Sequence, residues 1–170
     1  MRKMWLFLFS LLILLNVQVS YADELWKGTQ YGMTVKQVKK IFPNAVTPQN
    51  QDAIYSGVEL LRLDDVKISN ESFVAKFFFS NEKLVQVTLT LDNVSDFYQG
   101  KLIFDSLVDS LRAKYGKELS LKSSEVLTLL EANWMSNKTN ISLLCLEVNE
   151  TRTTININYS TRISKEGKNL

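Results

Sequence analysis

The chain has 170 residues, 45% apolar and 22% charged, with six Gly, two Pro, one Cys and no His, a globular composition and neither a disordered nor a collagen-like one. The absence of histidine excludes His-based catalytic triads, imidazole zinc sites and histidine pH switches, and the single Cys145 cannot form an intramolecular disulfide. With 20 basic and 18 acidic residues the net charge is only +2, too little to draw the chain onto nucleic acid.

Residues 1–22 read as a signal peptide. Arg2 and Lys3 give a positive start, Trp5 to Leu15 is apolar apart from Ser10, and Ser20 and Ala22 place small residues where a signal peptidase reads. The apolar run is well short of the roughly 20 residues that span a bilayer. Cleavage after Ala22 is expected to leave Asp23 as N-terminus, no stable membrane anchor, and a periplasmic or secreted protein. Loss of Arg2 and Lys3 leaves 18 basic and 18 acidic residues among the remaining 148, a net charge of zero. A chain of that size buries about two-thirds of its unfolded surface without disulfides. Residues 23–163 are therefore expected to form a single α+β domain, with 164–170 as a flexible tail.

The clearest local signal follows. Thr34 with Gln37 three residues on is a capping box, so a helix should begin at Val35, with Met33 and Val38 as the hydrophobic staple. Val35, Val38, Ile41 and Phe42 form its apolar stripe and Pro43 closes it. Gly32 permits a positive φ just before the cap.

Strand patterns come next. Residues 54–63 are apolar with imperfect alternation, and Asp64-Asp65 and Ser69-Asn70-Glu71 read as turns. Phe73, Ala75, Phe77 and Phe79 share one face, with Val74, Lys76 and Phe78 on the other; after the turn Ser80 to Lys83, Val85, Val87, Leu89 and Leu91 alternate with Gln86, Thr88 and Thr90. This is an antiparallel hairpin with one buried face.

A covering helix is expected from Asp96 to Tyr115, capped by Ser95 and ended by Gly116, with Phe97, Phe104, Leu107, Val108, Leu111 and Tyr115 against the sheet. Asp105, Asp109 and Arg112 fall on its wet side. Leu119 to Glu125 reads as a polar connection. Val126 to Met135 and Thr139 to Val148 form a second hairpin, and Thr153 to Ser160 a last strand with Thr154, Asn156 and Asn158 outward. Between Ile141 and Val148, alternation does not decide whether Ile141, Leu143 and Cys145 or Leu144, Leu146 and Val148 face the core. The expected fold class is α+β, an antiparallel sheet with helices packed on one face, and the element order suggests a duplicated α-β-β-β unit.

The segment Tyr31-Gly32-Met33-Thr34, with Gln37 and Val38 behind it, resembles the helix-start motif of the small secreted fold shared by the β-lactamase-inhibitor proteins and the small lipoprotein of the outer-membrane β-barrel assembly machinery. The resemblance covers about eight residues and implies helices on one face of an antiparallel sheet, a bacterial setting, and an architectural, helix-capping role for these six residues. This chain lacks the lipid-attachment cysteine of the assembly lipoprotein and the cysteines for the inhibitors' disulfides.

No motif carries chemistry: there is no Gly-rich phosphate loop, Cys-x-x-Cys, nucleophile elbow or acidic calcium loop. No catalytic residue, cofactor or metal site is assigned. Cys145 reads as a small core residue and Trp134, which shares a face with Val126, Leu130 and Ala132, as core. Six Asn-x-Ser/Thr triplets begin at Asn70, Asn93, Asn137, Asn140, Asn149 and Asn158; in bacteria they mean only turn and wet-face polarity. Phe78 is the one large aromatic on an otherwise polar sheet face and is expected to be exposed. The expected function is a non-catalytic protein-binding module of the bacterial cell envelope, its partner another envelope or secreted protein, held on a surface around Lys76, Phe78, Gln86 and Thr88. The alternative is a periplasmic enzyme using carboxylate, Lys or Ser chemistry.

Overall fold

The helix start read from Thr34 and Gln37 is present in the computed structural model, which describes residues 24–124 and 128–161. The expected leader (1–22), the tail (164–170) and Val126 lie outside the described residues. Thr34 Oγ1 accepts from the Gln37 N–H at 3.3 Å, and Gln37 Oε1 accepts from the Thr34 N–H at 2.8 Å. Helix α1 then runs Val35–Ile41, burying Val38. Loss of the Thr34 hydroxyl leaves the Gln37 N–H without its cap, so Thr34→Ala should lower stability by about 1 kcal/mol in urea denaturation.

The chain continues through β1 (Ala53–Ile54), β2 (Gly57–Ile68), β3 (Glu71–Ser80), β4 (Lys83–Val94), α2 (Phe97–Tyr115), β5 (Ser120–Ser124), β6 (Leu129–Ser136), β7 (Thr139–Asn149) and β8 (Arg152–Thr161). All pairings are antiparallel and make one sheet of order β1-β2-β3-β4-β8-β7-β6-β5. Each half is a helix followed by a four-stranded meander, and the halves join where β4 meets β8.

The protein is therefore mostly β, and the expected α+β fold with helices packed on a sheet face and an α-β-β-β unit is corrected. Helix makes up only 19% of the described residues, and each half contributes four strands. The physical reason lies in α1: at two turns, with one fully buried side chain, it cannot cover the β2–β4 half. Loop residues cover it instead. Trp26 stacks on Phe42 at 5.4 Å between centroids and lies 6.3 Å from Phe77, with Leu25 and Ala45 buried in the same cluster.

Strand facing follows from apolar alternation interrupted by bulges. Phe73, Ala75, Phe77 and Phe79 are buried together, and Leu143, Cys145, Ile155 and Ile157 continue that core. This settles the open choice in β7: Ile141, Leu143 and Cys145 face inward, while Leu146 and Val148 are exposed. Trp134 is core as well, its indole N–H donating to the Gly116 carbonyl at 3.0 Å. Asp64-Asp65, expected to be a turn, lies inside β2; a register shift between Leu63 and Val66, with Asp65 at φ 56°, makes it a bulge. A second shift between Phe78 and Phe79 brings Leu84 into the core in place of Val85. The stretch read as a polar connection contains the edge strand β5.

Helix α2 lies along β6, β7 and β8 and is capped by Asp96, whose carboxylate accepts from the Gln99 N–H at 2.8 Å, rather than by Ser95. Gly100 lies tight against the sheet: a Cβ there would stand 2.7 Å from Thr153 Cγ2 and 3.0 Å from Cys145 Sγ. Burial pushes the Cys145 thiol up to about 11, the opposite of an activated nucleophile.

Past the helix, Arg112 grips Glu118 with two hydrogen bonds of 2.7 Å. Chiefly through those bonds, the Glu118 carboxyl is held down to about 2, from the ordinary 4.5. A carboxyl with its pKa lowered by folding stabilises above its unfolded value and loses that contribution as pH falls toward the folded one. The wild type should lose stability between about pH 4.5 and 2 more steeply than Glu118→Gln, which pH-dependent urea melts will read.

Candidate functional site

The sheet face turned away from α2 and Trp26 is polar. Cross-strand register places one residue per strand in a continuous row: Arg62, Lys76, Thr88, Asn158, Ser142, Asn133 and Ser120. Their side chains bond along the row. Gln86 Nε2 donates to Thr88 Oγ1 at 3.0 Å, Thr88 Oγ1 to Asn158 Oδ1 at 2.9 Å, and Asn158 Nδ2 to Ser142 Oγ at 3.2 Å. Asn133 Nδ2 reaches Ser120 Oγ at 3.1 Å and Glu131 Oε1 at 2.7 Å. These bonds hold half-buried side chains in fixed orientations. Over the β6–β8 part of the row lies a shallow depression of about 410 Å³, lined by Leu119, Asn133, Trp134, Asn140, Ser142, Asn158 and Ser160.

A charge cluster flanks the row at the β1–β3 edge. Glu59, with a side chain 0% exposed, receives Arg62 Nε at 2.7 Å and Nη2 at 2.8 Å. The Asp52 N–H donates to the same carboxylate at 3.2 Å, and the Asp52 side chain receives Lys76 Nζ at 2.7 Å. That Lys76 bond, reinforced by the charges of Lys76 and Arg62, holds the Asp52 carboxyl below its ordinary range despite partial burial. Glu59 raises the Arg62 guanidinium chiefly through its hydrogen bonds. Each charge faces an opposite one, so the cluster is a clamp between β1, β2 and β3 and holds no unpaired acid poised for proton transfer.

The residues expected to form the contact surface do share this face, but not as a protruding patch. Phe78, expected to be exposed, is 3% exposed. Its register partners explain part of this: it lies between the buried Glu59 and Gln86, in a corner of the sheet folded tightly by two bulges. Thr88 is 7% exposed, and the Lys76 side chain 16% and committed to Asp52. Gln86 is half-buried within the row. Sequence reasoning placed Asn158 outward but missed the alignment of Ser142 and Asn133 with it, which register between segments far apart in the chain decides, and of Ser120, because β5 was not recognised. It also missed Glu59 and Arg62, whose shared face is created by the bulge between Glu59 and Leu61.

Among the described residues no group of His, Cys, Asp or Glu could hold a metal ion, and no helix is long and apolar enough to cross a membrane.

Residues 26–168 match the model of a family described as "Uncharacterised protein". The chain belongs to that family. No curated protein and no solved structure matches the chain.

Proposed function

We propose that this protein is an exported, non-catalytic binding module of the bacterial cell envelope that holds another protein against the polar face of its sheet. The observation that carries the reading is the row from Arg62 to Ser120, in which hydrogen-bonded, half-buried side chains present fixed donors and acceptors across seven strands. Such an array is preorganised, so a partner that matches it loses little further side-chain entropy on binding. Export is supported by the character of residues 1–22, and the bacterial setting by the resemblance of the Gly32-Met33-Thr34 helix start.

The test uses the protein as bait in a pull-down from envelope extracts, beside Ser142→Lys and Asn158→Lys, which put a cation into an uncharged stretch of the row. A partner retained reproducibly by the wild type and reduced at least about tenfold by both variants, with melting temperatures little changed, is the expected result. Equal recovery with the variants would overturn this face as the recognition surface.

A further inference from the structure

Three tight turns meet at one end of the β1–β4 half and enclose a cup of about 620 Å³, lined by Tyr31, Gly32, Tyr55, Ser56, Ser80, Asn81, Lys83 and Val85. That volume falls within the range of about 300–1,000 Å³ typical of small-molecule sites. Each wall is held by the backbone. The Tyr31-Gly32 turn is tied to β4 by the Gly32 N–H on the Leu84 carbonyl and the Leu84 N–H on the Met33 carbonyl, both 2.8 Å. Tyr55-Ser56 is the two-residue link between β1 and β2, paired at Ile54 and Gly57. Asn81 and Glu82, at φ 47° and 62°, form the turn between β3 and β4.

Two features shape this cup. A Cβ at Gly57 would stand 2.7 Å from the Phe79 carbonyl oxygen and 3.1 Å from Val85 Cγ2, so only glycine lets the Tyr55 hairpin close onto β3 and β4. The bulge opposite Phe79 turns Val85 out of the core and into the cup floor, the re-aiming that bulges perform beside functional sites. The cup then shows two tyrosines to solvent, Tyr55 at 99% and Tyr31 at 40% exposure. Around them stand short hydroxyl and amide side chains and the cation Lys83. Among the described residues no carboxylate lines the cup.

From this lining we infer that the cup binds a saccharide bearing a carboxylate. The tyrosine rings offer flat apolar faces for the C–H faces of sugar rings. Ser56, Ser80 and Asn81 supply paired donors and acceptors matched to sugar hydroxyls, and Lys83 supplies the charge for the carboxylate. The inference stands on the cup alone and is independent of the sheet-face reading, since no cup residue belongs to the polar row.

Titration calorimetry of the purified protein with tetragalacturonate, and with neutral galactotetraose for comparison, tests it. Saturable binding of the acidic sugar is expected, about tenfold tighter than that of the neutral one. Lys83→Gln should erase the difference, and Tyr55→Ala should weaken both sugars at least about tenfold without changing the melting temperature. No saturable binding of tetragalacturonate would overturn the inference, as would binding that Tyr55→Ala leaves intact. Binding abolished by 0.5 M salt and indifferent to both tyrosines would show surface charge alone and would equally sink it.

Discussion

Phe78→Ala should lower the unfolding free energy by about 3–5 kcal/mol in urea denaturation, the cost of a phenyl ring's transfer energy together with the cavity it leaves. Phe78 is 3% exposed yet lies outside the main apolar cluster, on the side of β3 opposite Phe77 and Phe79. Its environment is partly polar, between Glu59 and Gln86 in register, so truncation removes packing from beside the Glu59 and Arg62 pair as well. Water entering the cavity would expose a fully buried carboxylate and loosen its pairing. A loss below about 1 kcal/mol would show that the corner collapses around the missing ring, and that Phe78 contributes little beyond its own area. Phe78→Leu keeps most of the volume and should recover more than half of the loss, which separates packing from any specific aromatic role.

The elements legible in the sequence are those specified by residues close along the chain. The Thr34 and Gln37 capping box needs only four residues to be recognised. The β3–β4 hairpin announces itself by an uninterrupted Phe73, Ala75, Phe77, Phe79 alternation, and α2 by its stripe from Phe104 to Leu111, all of whose members are buried. What stays hidden depends on register between strands. The bulges at Glu59/Leu61, Leu63/Val66 and Phe78/Phe79 each break the two-residue period, so a single strand read by itself assigns Asp64-Asp65 to a turn and Val85 to the core. The fold class fails for a related reason: β5, Ser120–Ser124, is polar and lies at a sheet edge, where no apolar alternation is needed to form it.

The same dependence hides the candidate site. Ser142, Asn133 and Ser120 carry no signal that they align with Asn158, since alignment is decided by pairings between segments far apart in the chain. The exposure of Phe78 is misjudged by a rule that is sound for flat sheets. Alternation places it correctly on the polar face, but that face is not uniformly wet: the Asp52 segment adds β1 beside β2 and brings charged side chains around the corner. Burial of an aromatic there follows from tertiary closure, which no local pattern records.

The Glu59 and Arg62 pair offers the second large effect. Glu59 is fully buried and Arg62 28% exposed, so the carboxylate has little water to fall back on if its partner is lost. Arg62→Met keeps much of the aliphatic stem but leaves Glu59 with only the Asp52 N–H as a donor, and should cost about 3–5 kcal/mol. The pair itself need not be worth that much. Replacing both residues with apolar groups, Glu59→Leu with Arg62→Met, removes the charge to be desolvated together with the charge that compensates it, and should cost distinctly less than Arg62→Met alone. A double-mutant cycle by urea denaturation reads the difference directly. If the double variant loses as much as the sum of the two single ones, the residues are not coupled, and the clamp between β1, β2 and β3 is held by its backbone pairing alone. If the double variant is the more stable, the buried pair acts to fix the register of the bulged β2 at the edge of the polar row, where one residue of slip would turn Arg62 off that face.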